Sequence, residues 1–233
     1  MTRFIFARLL TIIPIMFGVS FFVFMLAHLA PGDVTTTLTG PYATEEVREQ
    51  IRIKYGLNEP LMVQYGNWVG RIVQGEFGKS IANRRMVAEL IFPKFANTAI
   101  LAVTSAALAY VIGLFVGVFA ASRPYSLFDR LAMAGTLMVG SIPPFWLGLL
   151  LVLLFSLTLR WLPATGMTKI IDGGYPGDVI LHLILPTIAA AAAPAAIIVR
   201  TVRATMLEIL SQNYIKVARA KGIRRNVILR KHA

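Results

Sequence analysis

Four long stretches of the chain contain no Asp, Glu, Lys or Arg. They lie between Arg8 and Asp33, Lys94 and Arg123, Arg130 and Arg160, and Asp178 and Arg200. A bilayer crossing needs about 20 apolar residues in succession, so each stretch is long enough to cross one. Because lipid offers the backbone no hydrogen-bonding partner, such stretches form helices. The pattern predicts membrane helices over about residues 9–30, 95–122, 131–159 and 179–199.

The fourth stretch, VILHLILPTIAAAAAPAAIIV, differs from the others in its prolines and small residues. Pro186 and Pro194 each remove a backbone donor and are predicted to bend or break the helix. Small side chains let membrane helices approach closely, which predicts a position inside a bundle. The pattern Gly113-x-x-x-Gly117 in the second stretch points the same way. A general packing surface and a translocation path lined by kinked helices both fit these residues.

Residues 31–94 separate the first two stretches and contain two helical patterns. The segment ATEEVREQIRIKYGLNEP is predicted to form a capped helix. Thr44 would accept from free amides at its start, Glu45 and Glu46 suit the positive end of the helix dipole, and Gly56 suits the stop. The segment LMVQYGNWVGRIVQ has apolar residues at helical spacing, which predicts a helix lying against the membrane surface or a partner.

Composition excludes an ordinary soluble domain. The 233 residues are 57% hydrophobic and 15% charged, whereas soluble domains are about 45–50% apolar and about a quarter charged. The absence of cysteine excludes disulfides, thiolate metal sites and cysteine nucleophiles within this sequence. The first apolar run is longer than the core of a secretory signal, so an uncleaved membrane helix is favoured over a cleaved signal.

The placement of the net charge of +12 predicts an orientation. Short loops rich in Lys and Arg stay in the cytoplasm. Arg3 and Arg8 precede the first stretch, Arg123 and Arg130 flank the second connection, and nine Lys and Arg residues follow the fourth stretch. We therefore expect both ends to be cytoplasmic and residues 31–94 to be external. The fold class predicted is an all-α membrane protein, a polytopic helical bundle with an external helical region.

Motifs of soluble enzymes are incomplete in this chain. GEFGKS at 75–80 resembles the end of a phosphate-binding loop, but Val73 stands where that loop needs its first glycine. His28, His182 and His232 are far apart and lack ligand spacing, so no metal or other cofactor is predicted. No carboxylate pair is available for acid–base chemistry. The four stretches also contain no Asp, Glu, Lys or Arg, although proton-coupled carriers usually place an ionisable group in the membrane. The sequence therefore predicts no enzymatic activity.

The final segment, RATMLEILSQNYIKVARAKGIRRNVILRKHA, is basic and helix-prone. Apolar residues recur at helical spacing, and Gly222 interrupts the pattern, which predicts two short cytoplasmic helices joined at that glycine. A basic amphipathic segment lying on anionic lipid fits the same residues. A nucleic-acid tail would need interleaved aromatic residues, and Tyr214 stands alone, so no nucleic-acid partner is predicted.

Within this segment, Tyr214-Ile215 followed by Ala218-Arg219-Ala220-Lys221-Gly222 resembles the cytoplasmic "EAA" loop of binding-protein-dependent ABC importer permeases. The likeness is to the peptide and nickel class and extends over the whole chain, through PGD at 31–33, ATEEVREQIRIKYGLNEPLMVQYGNWV, GEFGKS, SIPPFWLGLLLVLLFS, WLPATG and LILPTIAA. Lys216 departs from the general loop pattern, which has a glutamate there. Chains of that class continue beyond a His-Ala such as His232-Ala233, so we expect two further helices to be missing, either from a fragment or from a truncated chain.

The resemblance implies a type I ABC importer transmembrane domain, with residues 1–94 as a first helix plus external region, 95–233 as the permease core, and 200–233 as the loop that couples it to an ATPase. It implies coupling residues Tyr214, Ala218, Arg219, Ala220, Lys221 and Gly222. Gly222 would allow the bend, and Ala218 would allow close approach to the partner. Arg219, Lys221, Arg224 and Arg225 would either pair with acidic or carbonyl groups of the ATPase or hold the loop at the lipid surface.

The partners implied are a second permease chain, two cytoplasmic ATPase subunits and an external substrate-binding protein, in the bacterial or archaeal plasma (inner) membrane. Transport would proceed by alternating access, with hydrolysis on the separate ATPase. Di- or oligopeptides are the substrates most typical of this class, and nickel, glutathione and oligosaccharides stay open. Two other functions fit the sequence: a membrane scaffold with a basic lipid-binding tail, and a secondary transporter.

Overall fold

The structure is a computed structural model that describes residues 2–29, 34–40, 42–80, 83–167, 176–224 and 227–229. The described residues are almost entirely helical. Their only β-pairing is an isolated bridge between Lys79 and Met86. The chain divides into two compact units, residues 1–93 and 94–233. The all-α fold class predicted from the sequence is confirmed, whereas PGD at 31–33, Arg225 and His232 lie outside the described residues.

The first unit contains four helices among its described residues: α1 (Thr2–Leu29), α2 (Val34–Thr39), α3 (Glu45–Tyr55) and α4 (Leu61–Val73). α3 ends at Gly56, which has a left-handed φ of 65° as predicted. Thr44 stands at the N-cap, but its side chain makes no capping hydrogen bond, so that part of the prediction is wrong. The first turn of α3 holds Glu45 and Glu46, whose charges suit the helix dipole.

α4 packs against α1 through an aromatic cluster. The Tyr65 hydroxyl lies 2.8 Å from Ser20 Oγ, and its ring meets Phe21 and Phe24 edge-on, at centroid distances of 5.2 and 5.4 Å. Trp68 lies beside Phe24. The side of α4 that carries Tyr65 therefore has a partner within the chain, and contact of α4 with a membrane surface or another protein stays a prediction.

The second unit is built around one long helix. Its elements are α5 (Val87–Ser122, which starts in the first unit), α6 (Leu127–Ser141), α7 (Pro144–Leu151), a π-helix (Val152–Thr158), α8 (Pro176–Ser211) and α9 (Asn213–Ala220). α8 carries half of the described buried side chains of this unit, among them Leu185, Ala191, Ala195, Ala196 and Val199. The sequence prediction that the small residues of this helix pack inside a bundle is confirmed.

α8 runs without a break through both of its prolines. Pro186 and Pro194 lie inside a 36-residue helix, so of the predicted bend or break, the break is wrong. A proline removes a single intrahelical hydrogen bond, and helices packed alongside hold the flanking turns in place. α8 also continues to Ser211, twelve residues beyond the predicted end at 199. The first part of the predicted loop 200–233 is therefore a continuation of this helix.

The third apolar stretch is bent rather than continuous. α6 ends before Ile142, whose backbone is extended, and α7 starts at Pro144. Pro143 and Pro144 each disfavour a helical conformation in the preceding residue, whereas proline is well suited to the first turn of a new helix. The two halves meet at an angle of 100°. The range 131–159, predicted as one helix, thus holds two helices and a π-helical turn.

α5 and α8 run parallel along a seam of small residues. Thr104 Oγ1 lies 3.2 Å from Thr187 Oγ1, and Ala109 packs with Ala191 and Ala195. Further along, a Cβ built on Gly113 would meet Ile198, and one built on Gly117 would meet Val202. The contacts advance in the same direction along both helices. The packing surface predicted from Gly113-x-x-x-Gly117 is confirmed.

α6, α7 and the π-helix, which we call the bent segment, run along α8 in the opposite direction. Asp129 at its start bonds Arg203, and Gly140 and Gly148 lie next to Ala196 and Ala189. At its far end, Val152 lines a cavity of about 370 Å³ together with His182. These contacts cover α8 from Arg203 back to His182, a rise of about 31 Å at 1.5 Å per residue.

Candidate functional site

α9 and the turn that follows it contain the residues that the sequence predicted as a coupling element. It begins after Gln212, whose extended backbone (φ −64°, ψ 151°) separates it from α8. The sequence did not predict this break; it predicted one helix up to Gly222. α9 is therefore a separate two-turn helix at the end of α8, and its orientation depends on how its buried face is held.

The buried face of α9 is apolar and fixed to the end of α8. Ile215 and Ala218 are buried together with Ile228, and Leu210 of α8 and Ile223 pack against them. We call these five residues the α9 cluster. Ile215 and Ile228 are 0% and 1% exposed, values typical of a protein interior rather than of a surface loop. The cluster packs α9 against the end of α8.

The Ala218 side chain is buried and not exposed as expected. It was predicted to allow close approach of a partner, but its side chain is turned into the α9 cluster. A larger residue at 218 would displace Ile215 or Ile228. The small size of Ala218 therefore serves packing within the chain, and the surface open to a partner is formed by other residues.

The exposed face of α9 carries the other predicted residues. Tyr214 and Val217 are about half exposed, and Arg219, Ala220, Lys221 and Gly222 are exposed as well. Lys216 lies on this face and reaches Asn213 Oδ1 at 3.4 Å. Together with Arg224 these residues form a basic surface with an aromatic ring at one end. Such a surface suits a partner that presents acidic groups or carbonyl oxygens.

Gly222 ends α9 in a Schellman motif. The Gly222 N–H donates to the Arg219 carbonyl at 2.9 Å, and the Ile223 N–H donates to the Ala218 carbonyl at 3.2 Å. The motif needs a left-handed residue at Gly222, where φ is 78°. It also directs Ile223 back into the α9 cluster. The predicted interruption at Gly222 is confirmed, because the described helix ends two residues before it.

An ion pair that the sequence analysis missed lies ten residues before α9. Arg203 of α8 donates to both carboxylate oxygens of Asp129, from Nε at 2.5 Å and from Nη2 at 2.8 Å. The Tyr125 N–H donates to the same carboxylate at 2.9 Å. The Asp129 side chain is only 3% exposed. Two-pronged contacts of this kind fix geometry as well as charge.

The sequence contained a signal for Asp129. Ser126-x-x-Asp129 ahead of an apolar run is the spacing of a capping box, and Ser126 Oγ accepts from the Asp129 N–H at 3.3 Å. Asp129 is also the only acid between Ser122 and Arg160. Its partner Arg203 could not have been chosen from the nine basic residues near the end, because that choice depends on tertiary packing.

The two described histidines bond within their own surroundings. His28 Nδ1 lies 2.9 Å from the Phe24 carbonyl, and its Nε2 lies 3.3 Å from Gln64 Oε1. His182 Nδ1 lies 2.7 Å from the Asp178 carbonyl. The two residues belong to different units, and the partners named are main-chain carbonyls and an amide, so neither contact brings histidines together.

Family models match the two parts of the chain in order. Residues 113–233 match "binding-protein-dependent transport system inner membrane component". Residues 1–102 match the N-terminal model of binding-protein-dependent transport system membrane components. The chain belongs to this family. It is a multi-pass component of the inner membrane and a transport component rather than a catalytic subunit.

Curated relatives align with the permease over nearly its whole length. The oligopeptide transport system permease protein AppB of Bacillus subtilis is 41% identical over all of this chain and 74% of its own. The glutathione transport system permease protein GsiC of Escherichia coli K12 is 38% identical over all of this chain and 72% of its own. The probable peptide ABC transporter permease protein y4tP of Sinorhizobium fredii is 39% identical over 99% of this chain and 73% of its own. All three alignments include α9.

Proposed function

We propose that this permease is the membrane subunit of an ATP-driven importer of di- or oligopeptides, and that α9 transmits the movement of a separate cytoplasmic ATPase. The observation that supports the coupling role is the position of α9. Its apolar face packs on α8 through the α9 cluster, and its basic face is exposed. A short helix on a rigid base can pass rigid-body motion from one subunit to another.

The order of contacts supports a cytoplasmic position for α9. α5 and α8 run parallel, so the chain between them has to cross back once. The bent segment follows α8 for about 31 Å, close to the 30 Å thickness of the hydrocarbon core. Counting α1, α5, the bent segment and α8 gives four crossings. With the N-terminus on the cytoplasmic side, α9 lies there too and residues 31–94 lie outside.

The substrate proposal rests on the relatives. AppB and y4tP are named for oligopeptide and peptide transport, and GsiC for glutathione, which is itself a tripeptide. A peptide is thus the chemistry common to all three names. In the proposed cycle, an external binding protein delivers the peptide to this permease and a second permease chain. Two ATPase subunits close on ATP, α9 moves with them, and the path alternates between outward and inward access.

Photo-cross-linking tests the coupling role. These 233 residues contain no cysteine, so Ala220→Cys adds one thiol to them, on the exposed face of α9, and the transporter without this substitution gives the labelling background. After labelling with benzophenone-maleimide in the assembled full-length transporter, irradiation is expected to join the permease to the ATPase subunit. Met62→Cys is the matched control, because its side chain is equally open to labelling but lies on α4, in the region proposed to be external, and is expected to give no ATPase adduct. Absence of an ATPase adduct from position 220 would contradict the docking.

Uptake into proteoliposomes tests the substrate class. The vesicles contain the full-length permease, its permease and ATPase partners, and the binding protein on the outside. Uptake of radiolabelled alanyl-alanine is expected to need ATP and to fall when unlabelled tripeptide is added. Inhibition by Ni²⁺ alone, with no effect of peptides, would make the peptide assignment wrong. Uptake driven by an ion gradient without ATP would instead favour a secondary transporter.

A further inference from the structure

We propose that Asp129 is a positioning residue for transport: by holding Arg203, it makes the end of α8, the connection between α5 and α6, and α9 move as one body. This inference rests on the proposed coupling role of α9. Neither Asp129 nor Arg203 lies on the exposed face of α9. Their effect on an ATPase would therefore be transmitted through the chain and not by direct contact.

One carboxylate joins three parts of the second unit. Asp129 lies in the first turn of α6 and accepts two bonds from Arg203 of α8. It also accepts the N–H of Tyr125, in the connection that follows α5. Tyr125 has a left-handed φ of 64°, a conformation that costs energy in a residue other than glycine. The bond to Asp129 helps to hold this strained connection in a single conformation.

The ion pair lies on α8 between its seam with α5 and the α9 cluster. One residue earlier, Val202 packs against Gly117 of α5, and the ion pair follows at Arg203. Beyond it, Met206 is buried and Leu210 belongs to the α9 cluster. The cavity beneath α9, of about 620 Å³, is lined by Ala121 and Pro124 near the α5–α6 connection as well as by Arg219 and Gly222. The held connection and α9 thus border the same space.

The geometry of the ion pair suits it to pass movement from α8 to α6, which charge attraction alone would do less well. An arginine with both carboxylate oxygens engaged resists sliding and rotation, because either movement breaks one of two parallel bonds. Asp129 is almost fully enclosed, so loss of a bond from Arg203 costs more free energy there than at an exposed site. When α9 and the end of α8 move, the ion pair therefore moves α6 and the connection after α5 with them.

The test measures substrate imported per ATP hydrolysed in the assembled full-length transporter. We expect Asp129→Asn and Arg203→Lys to lower this ratio about fivefold, with ATP hydrolysis and the amount of assembled complex little changed. Glu208→Gln and Arg200→Lys are matched controls on α8, since they make the same acid-to-amide and arginine-to-lysine changes at exposed positions. Both controls are expected to keep the ratio of the unmodified protein.

A distance measurement separates positioning from simple stabilisation. Spin labels at Leu127→Cys and Ala220→Cys, both exposed, report the separation between the start of α6 and α9. The distance distribution is expected to be narrow in the unmodified background and to broaden with Asp129→Asn. An unchanged ratio with an unchanged distribution would overturn the proposal. So would loss of assembly in every variant of the pair, because the pair would then be purely structural.

Failure of the coupling role itself gives a different result. In that case Ala220→Cys forms no adduct with the ATPase even with Asp129 and Arg203 intact. If the adduct forms and the Asp129 variant still imports substrate at the normal ratio, only the positioning role is wrong. The two experiments use the same cysteine position, so they can be compared directly.

Discussion

Replacing Gly117 with alanine is expected to destabilise the permease by about 1–3 kcal/mol. The new Cβ would lie 2.8 Å from Val202 Cβ, 2.9 Å from its Cγ1 and 3.0 Å from the Val199 carbonyl oxygen. A valine side chain in a helix has one strongly preferred rotamer, and the carbonyl belongs to the backbone of α8. Neither neighbour can move aside alone, so α5 and α8 have to separate along their seam. Gly117→Leu is expected to prevent assembly.

The measurement is the temperature of half-aggregation of the detergent-solubilised full-length transporter. Gly135→Ala is the matched control, because it makes the same chemical change in a helix of the same unit where nothing lies within 4 Å of the added Cβ. There alanine is expected to be neutral or to stabilise by roughly 0.5–1 kcal/mol. Gly113→Ala, whose Cβ would lie 2.6 Å from Ile198 Cβ, should behave like the Gly117 variant. Equal stability of the Gly117 and Gly135 variants would contradict close packing of α5 on α8.

Replacing Gly222 with valine is expected to uncouple ATP hydrolysis from import. Nothing lies within 4 Å of an added Cβ at this position, so the effect would not come from a clash with neighbours. It would come from the backbone: φ is 78°, a conformation that costs a residue other than glycine roughly 1–3 kcal/mol. Loss of the Schellman motif would release Ile223 from the α9 cluster and leave α9 poorly oriented.

We expect the valine variant to import about tenfold less substrate per ATP hydrolysed, with normal insertion into the membrane. Gly222→Asn is the graded control, because asparagine enters the left-handed region more readily than β-branched residues do. It should retain most of the uptake. If the valine variant imported substrate at the normal ratio, Gly222 would have no part in coupling.

How much of this could be predicted from sequence differs between elements. The uncharged stretches, the small-residue seam and the stop at Gly222 depend on local composition, and the structure contains each of them. The bend at Pro143 and Pro144 was missed because hydrophobicity alone does not distinguish a straight helix from a bent pair. For the two prolines of α8 the error was the reverse: local rules predict a bend or break, but packing against α6 and α7 keeps the helix continuous.

The local structure of the candidate site was predicted in part. The segment around Tyr214 and Gly222 was picked out correctly as a helix with a glycine stop. The face that it presents could not be predicted, since burial of Ala218 depends on Ile228, ten residues further along. The bond from Arg203 to Asp129 joins residues 74 positions apart, a separation for which one sequence offers no rule.

The parallel seam of α5 and α8 also has a consequence for how the protein is made. Thr104 and Thr187 lie 83 positions apart. At about 5–20 residues per second, the ribosome needs roughly 4–17 s to produce the second after the first. During that time α5 lies in the bilayer with its glycine face uncovered, a surface to which other helices with small residues can bind. The glycine face of α5 therefore has to stay unoccupied until α8 has been synthesised. A ribosome that slows or pauses within the bent segment lengthens the time during which α5 can pair with a wrong helix.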